Sequence, residues 1–573
     1  MRDNFISKLS YALHATSLLI LLNSFLARLG FLYWITLGRV TVGSNVTPIS
    51  GDLKLDLTVS ATLAYISLIL LLCRVKNVGL KTVGSLTIIY IMLTILFTLY
   101  LHETLFVMAT VLLVATIYLF FKGEGRFEYV YGIMYAIAGI ELLVLLFHIF
   151  KIATGKAVMQ LANALKFEAT IWSCAWWLSP LVLFTTFLIG VFRARNPNKF
   201  KIVLIKYGIG LRNSRSTMCC NGLGKYSPVL LVLLPLIISL LPYLPTVNPD
   251  LKPVNTDWIY YYNYLLKARE SGLQSVLIER SDRPLYIVLL YCFWRITGVD
   301  LKSLAVFHNV FLLPLYTASL FYLAKEYYGL KVAKWIPIVA PMSPIFLSFI
   351  YGGFQANLFT LSLLLIALGL LAKPSPRRTA IASAIFAITL FTHSWTWLQY
   401  TAVLTLMLLA KIVKAGGKVD RESLKPYLIV FAACIVSFTI RELVFMEKSF
   451  TLTATKFTCR NYSGFENLAS IIDKLHFFFN IYTGGTLNYP IYYVCFSLGF
   501  INAPITLVTW FTLIPLALIP LMNVLAYRVL LNTPIPVFTA LFMEKAEFKV
   551  KVLVLTYLVA VTLSKLVGII PTS

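Results

Sequence analysis

The chain has 573 residues, of which 59% are hydrophobic and only 13% charged, and its mean hydropathy is +0.83. Soluble domains run at about 45–50% apolar and about 25% charged, so the composition excludes a soluble globular enzyme, a disordered chain and a coiled coil. Lys and Arg number 49 against 23 Asp and Glu, a formal charge of +26. That charge sits in short loops between apolar runs rather than in a water-facing patch, which argues against nucleic acid as a partner. The pattern is that of an all-α, polytopic integral membrane protein with basic cytoplasmic loops.

Six apolar runs of membrane-spanning length open the chain, at about 9–35, 57–73, 82–101, 104–121, 129–150 and 169–192. The first is too long for a signal-peptide core and lacks a small-residue cleavage site, so it reads as a retained span. The loop from Arg74 to Lys81, the loop with Lys122 and Arg126, and above all 193–225 are basic. With the amino terminus inside, all three fall on the cytoplasmic face. Within this unit Glu141 and His148 lie seven apart on one predicted helix face, and an acid inside a membrane is a functional candidate by default. The sequence divides into an amino-terminal six-helix module, 1–225, open to a membrane protein partner, and a core, 226–573.

A span at about 226–246 delivers the chain to the outside. The outer loop that follows, 247–302, opens with a polar, aromatic and acidic stretch, 247–283, with Asp250, Asp257, Glu270, Glu279 and Asp282. The apolar run 284–298 is short for a span and reads as a re-entrant or interfacial helix. Spans then follow at about 303–324, 335–351, 355–372, 379–396, 398–413 and 426–444, and a second outer loop at 445–489. The tail, with prolines at 490, 504, 515, 520, 534 and 536, divides into 490–503, 505–526, 530–545 and 550–569. The total is about 16 spans. Two glycosylation sequons, at Asn45 and Asn461, fall outside on this topology. The eight cysteines show no zinc spacing and no disulfide framework.

The segment from Asn255 to Gly272 carries the most chemistry. Asp257 stands at the start of a predicted helix, as its cap or in its first turn. Tyr261, Tyr264, Leu265 and Ala268 share one face at helical spacing. A carboxylate beside an aromatic shelf suits a sugar ring, and the same residues suit a capped interfacial helix. A hydroxyl acceptor is a poor nucleophile until its proton is removed, which a positioned carboxylate can do. Asp282 is a candidate second acid, and Asp250 competes with Asp257 for the first role. Two carboxylates would also suit Mg²⁺ or Mn²⁺, although the sequence does not specify a metal.

The order of motifs resembles the core of the GT-C glycosyltransferases, the membrane enzymes that use polyprenyl-phosphate-linked sugars. The features are an outer-loop Asp before a Tyr-rich helix, then Asp282-Arg283-Pro284-Leu285-Tyr286, then Phe307-His308-Asn309, a long span ending in Ala324-Lys325-Glu326-Tyr327-Tyr328-Gly329, and Met342-Ser343-Pro344-Ile345-Phe346. Protein O-mannosyltransferases and aminoarabinose transferases are the broad comparison. The resemblance spans 226–445 and extends less clearly into the tail. A WWDYG motif is absent, which disfavours en bloc oligosaccharide transfer. The resemblance implies that Asp257 serves as catalytic base or metal-site acid, with membrane lipid and a polyprenyl-phosphate-linked sugar as partners at the extracytoplasmic face of the plasma membrane.

A lipid phosphate needs cations on the same face. Arg283 and Arg528 are the candidates, because a guanidinium pairs with phosphate through two parallel hydrogen bonds. His393, Trp395 and Trp397 end a span on the outer side and are candidates to line the sugar. Tyr351-Gly352-Gly353-Phe354-Gln355 reads as a tight outer turn. Arg441 with Glu442 reads as a structural pair at a span end. Two other functions stay open: a lipid or solute transporter coupled to protons through Glu141 and His148, and a non-catalytic membrane subunit. A transporter predicts internal repeats, and the sequence shows none.

Overall fold

In the computed structural model of the chain, the described residues are mainly 2–122, 178–195, 221–414, 421–445, 485–501 and 528–568, with short gaps and isolated positions besides. Glu141, His148, Asn461, the expected span 505–526 and most of 129–150, 193–225 and 445–489 lie outside them.

The amino-terminal part begins with α1 (Arg2–Arg28), followed by a hairpin of β1 (Leu32–Leu37) and β2 (Val40–Asn45), then α2 (Leu53–Lys76), α3 (Leu80–Tyr100) and α4 (His102–Lys122). The hairpin corrects the first expected span. Helix α1 stops at Arg28, Gly30 takes φ +65°, and the strands pair antiparallel with Leu32 opposite Asn45 and Leu37 opposite Val40. Apolar length alone does not separate helix from strand. Trp34, Ile35, Val40 and Val42 are strand formers, and here that preference prevails. Helices α1 and α2 meet along small residues. Ser17 and Ser60 donate to each other's carbonyls at 2.8 and 2.9 Å, Ser10 and Ser67 repeat the exchange, and Ala61 and Ala64 are fully buried. Small residues with hydrogen-bonding hydroxyls let helices approach closely in an apolar surround.

The remaining helices are α5 (Leu178–Arg195), α6 (Asn221–Leu240), α7 (Trp258–Ser271), α8 (Leu273–Glu279), α9 (Pro284–Thr297), α10 (Leu301–Tyr328), α11 (Leu330–Ala333), α12 (Ile336–Val339), α13 (Pro344–Gly352), α14 (Gln355–Ala372), α15 (Pro376–Thr392), α16 (Ser394–Lys414), α17 (Arg421–Val444), α18 (Pro490–Ile501), α19 (Arg528–Leu531), α20 (Ile535–Lys545) and α21 (Phe548–Gly568). Helix α10 packs against α14, α14 against α15, and α15 against α17. Helix α5 packs against α18, where Thr186 hydrogen-bonds Ser497 and Gly190 lies against the Phe500 ring.

Among the described residues, four helices are long and apolar enough to cross a membrane: Leu53–Cys73, Leu301–Tyr328, Gln355–Ala372 and Glu422–Val444. A fifth candidate is broken. Leu330–Val339 and Pro344–Gly352 meet at 44° where one straight span over 335–351 was expected. Ser343 caps the second half by accepting the Phe346 amide hydrogen at 3.1 Å, and Pro344 follows at the first helical position. That start signal ends one helix and begins another. The short run 284–298 is a separate 14-residue helix, α9. Residues 530–545 yield only the 11-residue α20.

Helices α7, α8 and α9 fold over the start of α10. Tyr261, Tyr264, Leu265, Ala268, Val276, Tyr286, Ile287 and Leu290 share a buried cluster with Leu301, Leu304, Ala305 and Ala356. The loop therefore has its own packed core on the end of the bundle.

A close backbone approach between two helices tests this packing. A Cβ on Gly499 in α18 would overlap the Phe538 carbonyl of α20, whereas one on Gly84 in α3 would meet nothing within 4 Å. Gly499→Ala is expected to destabilise the protein by about 1–3 kcal/mol. Gly84→Ala is expected to be neutral or slightly stabilising. Thermal unfolding in one detergent, variant against wild type, reads both.

Candidate functional site

The site starts from Asp257, at the amino-terminal boundary of α7. It occupies the capping position, yet its side chain makes no capping hydrogen bond to its own helix. The carboxylate turns instead to the start of α14, where the Phe354 amide donates to it. A helix amino terminus carries unpaired N–H groups and a partial positive charge, so it receives an anion well.

The turn before α14 makes this approach possible. Gly353 takes φ +80° and Phe354 φ +41°. A Cβ on Gly353 would lie 2.8 Å from the Asp257 Cβ and 3.2 Å from the Asn255 Oδ1. Only glycine fits both the backbone angle and the contact. The two segments are also stitched together. The Thr256 amide donates to the Tyr351 carbonyl at 2.9 Å, and the Thr256 hydroxyl donates to the Gly352 carbonyl at 3.0 Å. Asn255 Nδ2 donates to the Val306 carbonyl at 3.0 Å, and Gln355 Nε2 donates to the Ala305 carbonyl at 3.0 Å, fixing both to α10.

Two arginines face this carboxylate. Arg528 and Arg283 both act on Asp257 electrostatically. Arg528 opens α19 and lies over the Phe354 ring, 5.0 Å from its centroid. Arg283 precedes α9 and donates through Nε to Asp282 Oδ2 at 2.8 Å, while its Nη1 donates to the Tyr261 hydroxyl oxygen at 3.1 Å. That hydroxyl oxygen also accepts the Ala356 amide hydrogen at 3.2 Å. Burial raises the Asp257 carboxyl above the usual carboxylate range, against the opposing pull of Arg528, Arg283 and the Phe354 amide. Burial also acts to raise Asp282, but the Arg283 ion pair and hydrogen bond outweigh it and hold that carboxyl below the usual range. Two nearby carboxylates are thus pushed in opposite directions, the pattern that separates a base from a structural anion.

The Asp282 segment is anchored by two residues from other helices. Ser394 donates through its amide and its hydroxyl to the Asp282 carbonyl, both at 3.1 Å. Arg441, only 1% exposed, donates through Nη2 to the Ser281 carbonyl at 3.0 Å and through Nη1 to Glu442 at 2.8 Å. The pair read from sequence as structural therefore braces the site's second carboxylate. His393 lies in the field of Asp282, Arg283 and Arg528. Its Nδ1 is 2.7 Å from the Thr396 hydroxyl, which donates to Asn357 Oδ1. Asn357 Nδ2 donates to Asn532 Oδ1 at 2.8 Å, and Asn532 Nδ2 donates to Gln399 Oε1 at 2.8 Å. Asn532 follows α19, so this chain of amides ties Arg528's helix to α14 and α16.

Of the sequence candidates, Asp257, Asp282, Arg283, Arg528, Tyr261 and His393 converge. Tyr264 borders them, its ring 4.7 Å below the Arg280 guanidinium carbon. Asp250 does not belong. It is exposed and pairs with Lys252 at 3.0 Å, because the chain turns at 248–251 before reaching the site. Trp395 and Trp397 do not form one platform. Two residues apart on a helix they point to opposite sides, so Trp395 is exposed while Trp397 is buried and stacked on Phe438.

Tyr286 and His308 were quoted in the sequence pattern without a role, and both belong to the site. The Tyr286 ring packs 5.6 Å from Tyr261 and 6.2 Å from His308, and its hydroxyl interacts electrostatically with Tyr261, Arg283 and Asp257. Among the described residues no group of three His, Cys, Asp or Glu side chains is placed to hold a metal ion. Asp257 and Asp282 each lie in the field of an arginine. No protein family, curated protein or solved structure matches the chain.

The shifts fix signs. Asp257 is harder to ionise in the folded chain than in the unfolded one, so its ionisation costs stability. That cost is absent below the usual carboxylate range, grows as pH rises past it and is complete above the raised value. Asp282 is the reverse. Its pair stabilises above the usual carboxylate range and is lost as pH falls through the lowered value. Asp282→Asn is expected to lower stability at pH 7 by about 1–3 kcal/mol, since it strips Arg283 of its partner, and Asp257→Asn to leave stability unchanged or raised. Thermal midpoints at pH 7 and pH 4 check both, and the difference between the two variants is expected to shrink at the lower pH.

Proposed function

We propose that the protein is a GT-C-like membrane glycosyltransferase that moves a sugar from a polyprenyl-phosphate donor to a hydroxyl acceptor at the extracytoplasmic face of the plasma membrane. One observation carries this reading: a carboxylate that does not cap its own helix lies at the Gly353–Phe354 turn, in the electrostatic field of Arg528 and Arg283. A carboxyl raised above its usual range is a better proton acceptor. Guanidinium groups beside it suit a phosphate that gains charge as it leaves.

The reaction balances with these groups. Asp257 takes the proton of the acceptor hydroxyl as that oxygen bonds to the anomeric carbon. The bond from the anomeric carbon to the phosphate oxygen breaks, and its electron pair stays on the polyprenyl phosphate. The lipid phosphate passes from one negative charge to two, and Arg528 and Arg283 face the added charge. Asp257 then returns its proton to water. Asp282 orients Arg283 and takes no proton.

The test is turnover of decaprenyl phosphate carrying radiolabelled mannose, glucose or arabinose by membranes containing the protein. Asp257→Asn is expected to lower turnover at least about 100-fold, the usual range for a lost general base, with donor binding retained. In the wild type the acid limb of the pH–rate profile is expected above the normal carboxylate range. Arg528→Lys is expected to weaken donor binding about tenfold through loss of paired hydrogen bonds. Full turnover by Asp257→Asn defeats the reading.

A further inference from the structure

Behind Tyr261 lie two polar atoms that the reaction above does not use. The Tyr286 side chain is 3% exposed and His308 7% exposed. Among the described residues neither the Tyr286 hydroxyl nor the His308 Nε2 has a hydrogen-bond partner. The identity of the imidazole atom is decided by its other nitrogen. His308 Nδ1 is 2.7 Å from the Leu304 carbonyl oxygen, which only accepts, so Nδ1 carries the hydrogen and Nε2 presents a lone pair. The Tyr286 hydroxyl supplies a hydrogen. One donor and one acceptor thus stand on rings that touch each other and Tyr261, with Phe359 behind at 5.7 Å from Tyr286. What distinguishes these two atoms is that a donor and an acceptor lie together beside Tyr261.

The chemistry narrows what completes the pair. The wall is built from Tyr261, Phe359 and a neutral imidazole. A phosphate oxygen or carboxylate would be placed against a lone pair there and is better served by Arg283 and Arg528. An uncharged hydroxyl fits, because it accepts from one atom and donates to the other.

We propose that Tyr286 and His308 receive one hydroxyl of the donor sugar: the Tyr286 hydroxyl donates to it, and it donates to His308 Nε2. This rests on the glycosyltransferase reading and adds to it the residues that sense the sugar. Specificity built on such a pair is steep, because a ligand lacking the hydroxyl leaves both atoms buried and unpaired.

Binding separates the two ideas. Decaprenyl phosphate, bare or carrying mannose, glucose or arabinose, is titrated against the full chain in nanodiscs. For the wild type, one sugar-bearing lipid is expected to bind at least tenfold more tightly than the bare lipid. Tyr286→Phe, which keeps the ring, is expected to remove that preference while leaving the affinity for bare lipid and the thermal midpoint unchanged or raised. His308→Leu is expected to remove the same preference. If Tyr286→Phe keeps the sugar preference, the pair holds an ordered water only and the proposal fails. If it weakens bare and sugar-bearing lipids equally, the hydroxyl shapes the site rather than reading the sugar, and the proposal also fails. If the wild type binds bare and sugar-bearing lipids equally, sugar sensing fails while lipid-phosphate recognition stands. If it binds no lipid phosphate at all, the glycosyltransferase reading fails and this inference falls with it.

Discussion

The structure depends on a close approach of two backbones. Asp257 and the Gly353–Phe354 turn come so near that no Cβ fits between them. The approach puts a carboxylate against the amino terminus of α14 and forces Phe354 into the left-handed region. Such a backbone conformation costs free energy and persists only where surrounding contacts over-determine it. Here Thr256, Asn255 and Gln355 supply those contacts through hydrogen bonds to Tyr351, Gly352, Val306 and Ala305. The candidate base is therefore held by hydrogen-bonded turns at the boundaries of two helices, as a site needs when its geometry must be maintained.

The second requirement is charge balance in an apolar surround. Arg283 and Arg528 lie near Asp257, and Asp282 answers Arg283. An isolated charge there would be expensive, and a paired set is tolerable only when its remaining hydrogen bonds are filled. On one side the amides of Asn357, Asn532 and Gln399 bond one another, and on the other Arg441 and Ser394 hold the Ser281 and Asp282 carbonyls. The chain of amides also connects α14, α16 and the short α19, which carries Arg528. Residues far apart in sequence are thus held in one arrangement, with Arg528 on one element and the Asp257 carboxylate on another.

Much of this was legible from residue order. Asp257, Asp282, Arg283, Tyr261 and Arg528 were chosen by charge, spacing and side of the membrane, and they converge. The helix bounds of α9 and α14 match the apolar runs closely, because proline and glycine mark their ends. Other features were not readable. The hairpin at Leu32–Asn45 continues an apolar run, and hydropathy does not distinguish a strand from the end of a helix. The bend between α12 and α13 falls at Ser343-Pro344, a start signal embedded in an apolar stretch. Trp395 and Trp397 read as a pair only when helical rotation is ignored. Arg441 reads as an ordinary ion pair because its main partner, the Ser281 carbonyl, is 160 residues away.

By itself the sequence determined the class of environment and the inventory of chemistry. Composition and run length require apolar helices, since in lipid every backbone group must be satisfied within its segment. The acidic and aromatic stretch after Tyr243 names the candidate side chains. Tertiary structure alone decided their states and their company: that Asp257 does not cap its helix, that burial raises it while Arg283 lowers Asp282, and that Tyr286 and His308 face each other behind Tyr261. The reason is physical. Hydropathy and propensity are properties of one segment, whereas a carboxyl's proton affinity and a buried hydroxyl's missing partner depend on atoms that distant segments bring within a few ångströms.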